Sequence, residues 1–224
     1  GLAPLYSDEQ MQRIKGYIDG TFEYEYDPNN PIANVFHGRR NGNANYDWPH
    51  ILMGNKAFSQ KHNVNVSGGS NTTQYYMSGG YTKQNGTYAF GYDYFQRYNF
   101  LSNLSSQVTK WLKFNTSIKY ANSGTDFPLG ETTVGREHTF REMQTFAPMM
   151  PYYNINGTIQ SPLINLLEKS GRDKADHSDF MASIGAELEP IKGWKTIVNY
   201  NYNAKNSKLW SNPKPVMVEL GNGT

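Results

Sequence analysis

From His62 onward, apolar and polar positions alternate with a period of two, the spacing of a strand with one greasy side. Val64 and Val66 alternate with Asn63, Asn65 and Ser67. After Gly68-Gly69-Ser70-Asn71, the set Tyr75, Met77, Gly79 and Tyr81 alternates with Tyr76, Ser78, Gly80 and Thr82. This pattern predicts two strands joined by a tight turn. A second pair follows. Tyr98, Phe100, Leu104 and Val108 share one parity, the chain turns near Lys110, and Leu112, Phe114, Ile118 and Tyr120 then alternate with Lys113, Asn115, Ser117 and Lys119. In a third pair Phe180, Ala182, Ile184, Ala186 and Leu188 oppose Ser183, Gly185, Glu187 and Glu189. Pro190-Ile191-Lys192-Gly193 reads as its turn, and Trp194, Thr196, Val198, Tyr200 and Tyr202 then oppose Lys195, Asn199, Asn201 and Asn203.

The connections alternate in length. Those near 69–71, 109–111 and 190–193 are short, whereas those at about 83–95 and 122–177 are long. A segment as long as 122–177 calls for structure of its own. One helix is expected over roughly 133–146, with Glu137 and Arg141 at i,i+4. A second is expected from Ser161 as N-cap and Pro162 at the first helical position, with Leu163, Leu166 and Leu167 on its apolar side and Gly171 at its end. Residues 1–60 read as irregular, with one short helix. Ser7 and Gln10 form a capping-box pattern, and Met11, Ile14 and Ile18 recur at helical spacing. Asp27-Pro28-Asn29-Asn30-Pro31 breaks any regular element, and His37 to Asn45 reads as loop.

Period-two alternation fits two architectures. In a soluble sheet the apolar side meets a core; in a membrane barrel it meets lipid, with the polar side turned to the lumen. Aromatic residues at strand ends favour the barrel. Tyr92, Tyr94, Phe95 and Tyr98 gather at one end, and Trp111 and Trp194 stand beside short turns, as in the girdles at membrane interfaces.

Composition narrows the choice further. Hydrophobic residues make up only 37%, yet aromatics reach 14%, with 17 Tyr, so the chain is too aromatic for a disordered one. A net charge of +2 without a basic block gives no sign of nucleic acid as a partner. The absence of cysteine excludes disulfides, Cys-ligated zinc and Cys nucleophiles. No segment reaches the roughly 18 consecutive apolar residues of a membrane helix, which leaves a strand-built membrane protein open.

Catalytic chemistry finds little footing. The five histidines (His37, His50, His62, His138 and His177) lack metal-ligand spacing, and no cofactor is implied. Glu187 and Glu189 share a strand face, as a glycosidase pair could, but a polar sheet face explains them more simply. Gly68-Gly69-Ser70 lacks the Lys of a phosphate loop, and Asn85-Gly86 is a turn dipeptide. The candidate ligand-binding residues therefore lie in the long connection: Phe127, Arg136, His138, Arg141, Tyr152 and Tyr153, with Phe146 nearby. Exposed rings stack on sugars, and arginine forks hydrogen bonds to polar groups.

Specific strings add a family resemblance. His62-Asn63-Val64-Asn65-Val66-Ser67-Gly68-Gly69-Ser70, then Tyr75-Tyr76-Met77-Ser78-Gly79-Gly80-Tyr81 and Gln84-Asn85-Gly86, resemble a stretch of the SusC/RagA outer-membrane proteins. Arg97-Tyr98-Asn99-Phe100 with Asn103-Leu104 is similar to their next strand, and Val108 to Lys113 to the turn that follows. Pro151-Tyr152-Tyr153-Asn154 with Asn156-Gly157-Thr158, and Asp47-Trp48 upstream, look like two further family segments. The similarity runs in order from about 47 to 205.

The resemblance implies an all-β fold: antiparallel up-and-down strands of a partial transmembrane β-barrel, with long extracellular loops carrying short helices. Residues 1–60 would connect a plug to the barrel, and 61–224 would supply about six strands. Family members are several times longer, so the chain is expected to be a fragment. The implied activity is TonB-dependent import of oligosaccharides or peptides across the bacterial outer membrane, by binding and translocation and without enzymatic chemistry. The implied partners are a SusD-like surface lipoprotein, the TonB complex and outer-membrane lipid. The rival expectation is a soluble β-sheet domain that binds carbohydrate or acts as an adhesin.

Overall fold

The computed structural model describes residues 7–22, 25, 35–36, 39–40, 42–54, 56–129, 143–154 and 157–217. Helix α1, Asp8–Ile18, begins where the capping box places it. Ser7 accepts from the Gln10 amide while the Gln10 side chain accepts from the Ser7 amide, and Asp8 and Glu9 occupy the first turn. Two acids there complement the positive end of the helix dipole. Strands β1, Val35–Phe36, and β2, Arg39–Arg40, pair antiparallel, and β2 falls inside the His37 to Asn45 stretch expected to be loop. A second helix, α2, spans Trp48–Met53 behind Asp47, whose side chain accepts from the His50 amide.

Six long strands follow: β3 (Ser59–Gly69), β4 (Thr73–Asn85), β5 (Tyr94–Thr109), β6 (Leu112–Pro128), β7 (Gly171–Ile191) and β8 (Trp194–Pro213). They pair in sequence order, each antiparallel to the next. The short turns fall at 70–72, 110–111 and 192–193, within a residue or two of the positions expected from the alternation. Gly193 has φ +88°, the left-handed conformation that glycine adopts without a Cβ penalty.

The expected partial transmembrane β-barrel is corrected here. The sheet is open, with β3 and β8 at its two edges and each bonded to one neighbour. Six strands about 4.8 Å apart would enclose a ring narrower than the eight-strand barrel whose interior is just filled by side chains, so this set does not close on itself. Among the described residues no helix is long and apolar enough to cross a membrane. The described part of the long connection packs with α2 and the β4–β5 connection as a cap at one end of the sheet, with helix α3 at Pro162–Lys169. Ser161 caps α3 by accepting from the Ile164 amide, as its sequence suggests. The helix expected at 133–146 lies mostly outside the described residues; Met143 to Thr145 are helical.

Register assigns the sheet two unlike faces. His62, Val64, Met77, Tyr81, Tyr98, Phe100, Ile118, Phe180, Ile184 and Tyr200 all project to one side. Asn63, Asn99, Asn103, Ser117, Ser183 and Asn201 project to the other. No described element covers the apolar side: Val64 is 71% exposed, Ile184 54% and Tyr200 67%. The buried hydrophobic core lies in the cap instead. Trp48 and Leu52 from α2, Tyr88 from the β4–β5 connection, Phe146 and Met150 from the long connection, and Leu163, Ile164 and Leu167 from α3 pack together.

Candidate functional site

The cap positions one group of candidate ligand residues. Tyr152 lies parallel to Trp48, ring centroids 5.8 Å apart at 4°, and edge-on to Tyr46 at 6.3 Å. Phe146 meets the same Trp48 edge-on at 5.4 Å. Tyr152 is therefore a packing residue, and burial raises its phenol pKa above the ordinary value. Its neighbour Tyr153 is 52% exposed and stands edge-on to it at 4.7 Å. Phe127 is half-buried near the end of β6, on the opposite side of the strand from Asp126. Arg136, His138 and Arg141 lie outside the described residues. The structure thus describes three of the six candidates, and it brings Tyr152 and Tyr153 together.

A second polar cluster ties the cap to the sheet. Asp126 is buried and accepts from Arg172 Nε at 2.7 Å, while Lys174 Nζ lies 3.1 Å from its other oxygen. Arg172 also donates to the Tyr92 carbonyl and sits 3.9 Å from the centre of the Tyr92 ring. Lys174 stands over Trp210 at 5.5 Å, and its pKa is raised by its hydrogen bond to Asp126. Cross-strand register sets up the row: Tyr94 pairs with Asp126, Asp126 with Lys174 and Lys174 with Trp210. Around it, Tyr92 and Tyr94 stack with centroids 6.3 Å apart. The tryptophans at the short-turn end, Trp111 and Trp194, are 46% and 62% exposed.

The polar face carries two shallow depressions. One is lined by Tyr76, Asn103, Asn115, Ser117, Ser183 and Asn199, with Gly185 leaving space beside Asn199. Its groups are hydroxyls and amides, which both donate and accept and so suit neutral polar ligands. Two are already joined to each other: Ser117 donates to Asn103 at 2.8 Å. The other depression, of about 450 Å3, includes Arg97, Asn99, Lys119, Asp179, Asn203 and Lys205. Reasoning along the sequence missed this set, because its members come from four strands and no two are adjacent in the chain. The one available signal was their shared parity with the polar positions of each strand.

Glu187 and Glu189, which share a strand face, have structural partners. Glu187 lies 2.8 Å from Lys195, and the Glu189 side chain accepts from the Gly193 amide at 3.0 Å, holding the β7–β8 turn. Among the described residues no group of three or more His, Asp or Glu side chains is placed to hold a metal.

Comparisons with known proteins bear on the fold. No family model matches the chain. It is 25% identical over 194 residues to the TonB-dependent receptor P3 of Formosa agariphila, covering 81% of this chain and 19% of that protein. It superposes on a chain of the RagAB peptide importer in its closed-closed state with a TM-score of 0.62 and 18% identity, over 91% of this chain and 26% of the other. A second RagAB peptide transporter structure gives 0.56 and 20%, over 91% and 23%. The chain is distantly and partially similar to the SusC/RagA family of TonB-dependent transporters. It spans about a fifth of the length of the curated relative it matches. What the superposed chains share with this one is the fold, an antiparallel sheet of long strands paired in sequence order.

Proposed function

We propose that this chain is part of a TonB-dependent importer of the bacterial outer membrane, which takes up oligosaccharides or peptides by binding and translocation. A SusD-like surface lipoprotein and the TonB complex are the partners this reading implies, together with outer-membrane lipid. The observation that carries it is the uncovered apolar face. A soluble sheet buries such a face against a second layer, and here bulky residues from all six long strands stand exposed on it. Contiguous apolar surface of this size marks an interaction surface. In this reading Tyr92, Tyr94, Trp111 and Trp194 lie where the apolar side gives way to water. Phe127, Arg136, His138, Arg141 and Tyr153 are the ligand-binding residues of this reading, with Tyr152 supporting Tyr153 from its stack on Trp48.

The rival, a soluble carbohydrate-binding or adhesin-like domain, would have to cover the same face. Fractionating the bacterium that encodes the chain separates the two readings. The importer reading expects the protein in the outer-membrane fraction, with uptake that stops when the proton gradient is collapsed. Recovery in the soluble fraction as a monodisperse monomer, without detergent, would establish the rival.

A further inference from the structure

We infer that the polar face of the sheet holds a binding site for acidic peptides, centred on Arg97, Lys119 and Lys205. This deepens the importer reading and rests on it. The three cations come from β5, β6 and β8 and face the same depression. Register explains how they meet. Asn99 pairs with Ala121, Ala121 with Asp179, and Asp179 with Lys205, in one row across four strands. Arg97 lies one step along its face from Asn99, and Lys119 one step the other way from Ala121. Neighbouring strands are about 4.8 Å apart, so the cations ring the short side chain of Ala121 within the span of a few residues of extended peptide.

None of the three cations has an ion pair or a side-chain hydrogen bond with any described residue. Lys195, further along the same face, is by contrast neutralised by Glu187 at 2.8 Å. Asp179 is the single acid in the depression, and although it stands across from Lys205 in register the two form no ion pair. Three cations against one acid leave an excess of positive charge and unused donors, which a carboxylate-bearing chain would complement.

The remaining lining selects peptide over acidic glycan. The depression has Leu101 and Met181 on its floor, with Asn99 and Asn203 beside them. Side-chain amides can donate to and accept from a peptide backbone, and an aliphatic floor takes an apolar side chain. A sugar ring would stack on an aromatic platform. Phe100, Tyr120 and Phe180, which border the depression, alternate with the polar set and project from the opposite face.

The test uses the 224-residue chain in detergent micelles, with a fluorescein-labelled hexapeptide of alternating Glu and Ala and its Gln/Ala counterpart. Fluorescence anisotropy at about 50 mM salt is expected to give at least about tenfold tighter binding of the acidic peptide, the scale of one charge-assisted contact. The preference should shrink near 1 M salt, where the Debye length falls to about 3 Å. It should also vanish in the R97Q/K119Q/K205Q variant, whose changes lie on exposed side chains. K119Q alone, the milder change, should weaken it in part. Equal affinity for the two peptides overturns the inference. So does an undiminished preference in the triple variant, or tighter binding of an oligogalacturonate than of the acidic peptide. Each of these leaves the outer-membrane fractionation result unaffected, so this site can fail while the importer reading stands.

Discussion

At the scale of single residues, buried polar groups in the cap and at its junction with the sheet fix the geometry. Asp126 is 3% exposed at its side chain and satisfied by Arg172 and Lys174. Lys174 is half exposed, so solvent screens part of that pair, and the Arg172 contact dominates. Asp126→Asn should cost about 2 kcal/mol, read as a lower urea midpoint, because it removes one charge and leaves the Arg172 guanidinium without its carboxylate. A change of under about 0.5 kcal/mol would show the cluster to be ornamental. Tyr46 supplies a pH-dependent counterpart. Its hydroxyl donates to Glu25, which also accepts from Tyr17 at 3.2 Å, and burial first, then Glu25, pushes the Tyr46 pKa up. A phenol whose folded pKa is raised keeps its proton longer in the folded state than in the unfolded one. Its contribution to stability is therefore complete below about pH 10 and is lost as the pH climbs past that value. Stability should fall above pH 10 in the wild type, and Tyr46→Phe should flatten that fall; parallel pH curves for both proteins would refute the assignment.

At the scale of elements, helix caps and short turns were readable, and the strand ends beside the longest connection were not. Ser7 and Ser161 each stand where a side-chain oxygen can reach an amide three residues on, and both helices start there. Ser161→Ala should cost about 1 kcal/mol, seen as faster hydrogen exchange in α3 with exchange in α1 unchanged. Helix α2 escaped notice because six residues, one of them Pro49, offer too little periodicity to register. The strands run further than alternation suggested. From Asn122 to Asp126 and from Gly171 to Asp179 both faces are polar or small, so the contrast that marks a strand disappears. Backbone pairing continues regardless, since ladder hydrogen bonds need no side-chain pattern, and the Asp126–Lys174 pair reinforces it across β6 and β7. In the cap, Gly91 has φ +60° and lies so close to the Leu167 carbonyl that a Cβ would fall 2.0 Å from it. Gly91→Ala should accordingly loosen α3 against the β4–β5 connection, with an effect larger than that of the Ser161 substitution.

At the scale of the whole molecule, two faces of opposite character raise the question of which one the cap serves. The sequence made the alternation plain but could not say what lies against the apolar side, because a protein core and lipid impose the same period. The cap encloses its own core around Trp48, and the sheet's apolar side stays bare among the described residues. The site followed the same logic. Tyr152, a candidate ligand residue along the chain, stacks on Trp48 in the cap, and the cationic depression appears only once register is known. Substitution separates a bare face from a hidden core. Were Ile184 sealed in an interior, Ile184→Ala would cost about 2–5 kcal/mol. With its side chain 54% exposed, the same change should shift unfolding by no more than about 0.5 kcal/mol. Ile184→Lys with Tyr200→Lys should also reduce self-association in detergent-free buffer, measured by sedimentation velocity, because both positions lie on the face that drives it. Lysines at Ser183 and Asn201, their neighbours on the polar face, should leave that association unchanged. A large loss of stability at Ile184, or equal effects from the two pairs of lysines, would mean that the apolar side is already covered by something within the chain.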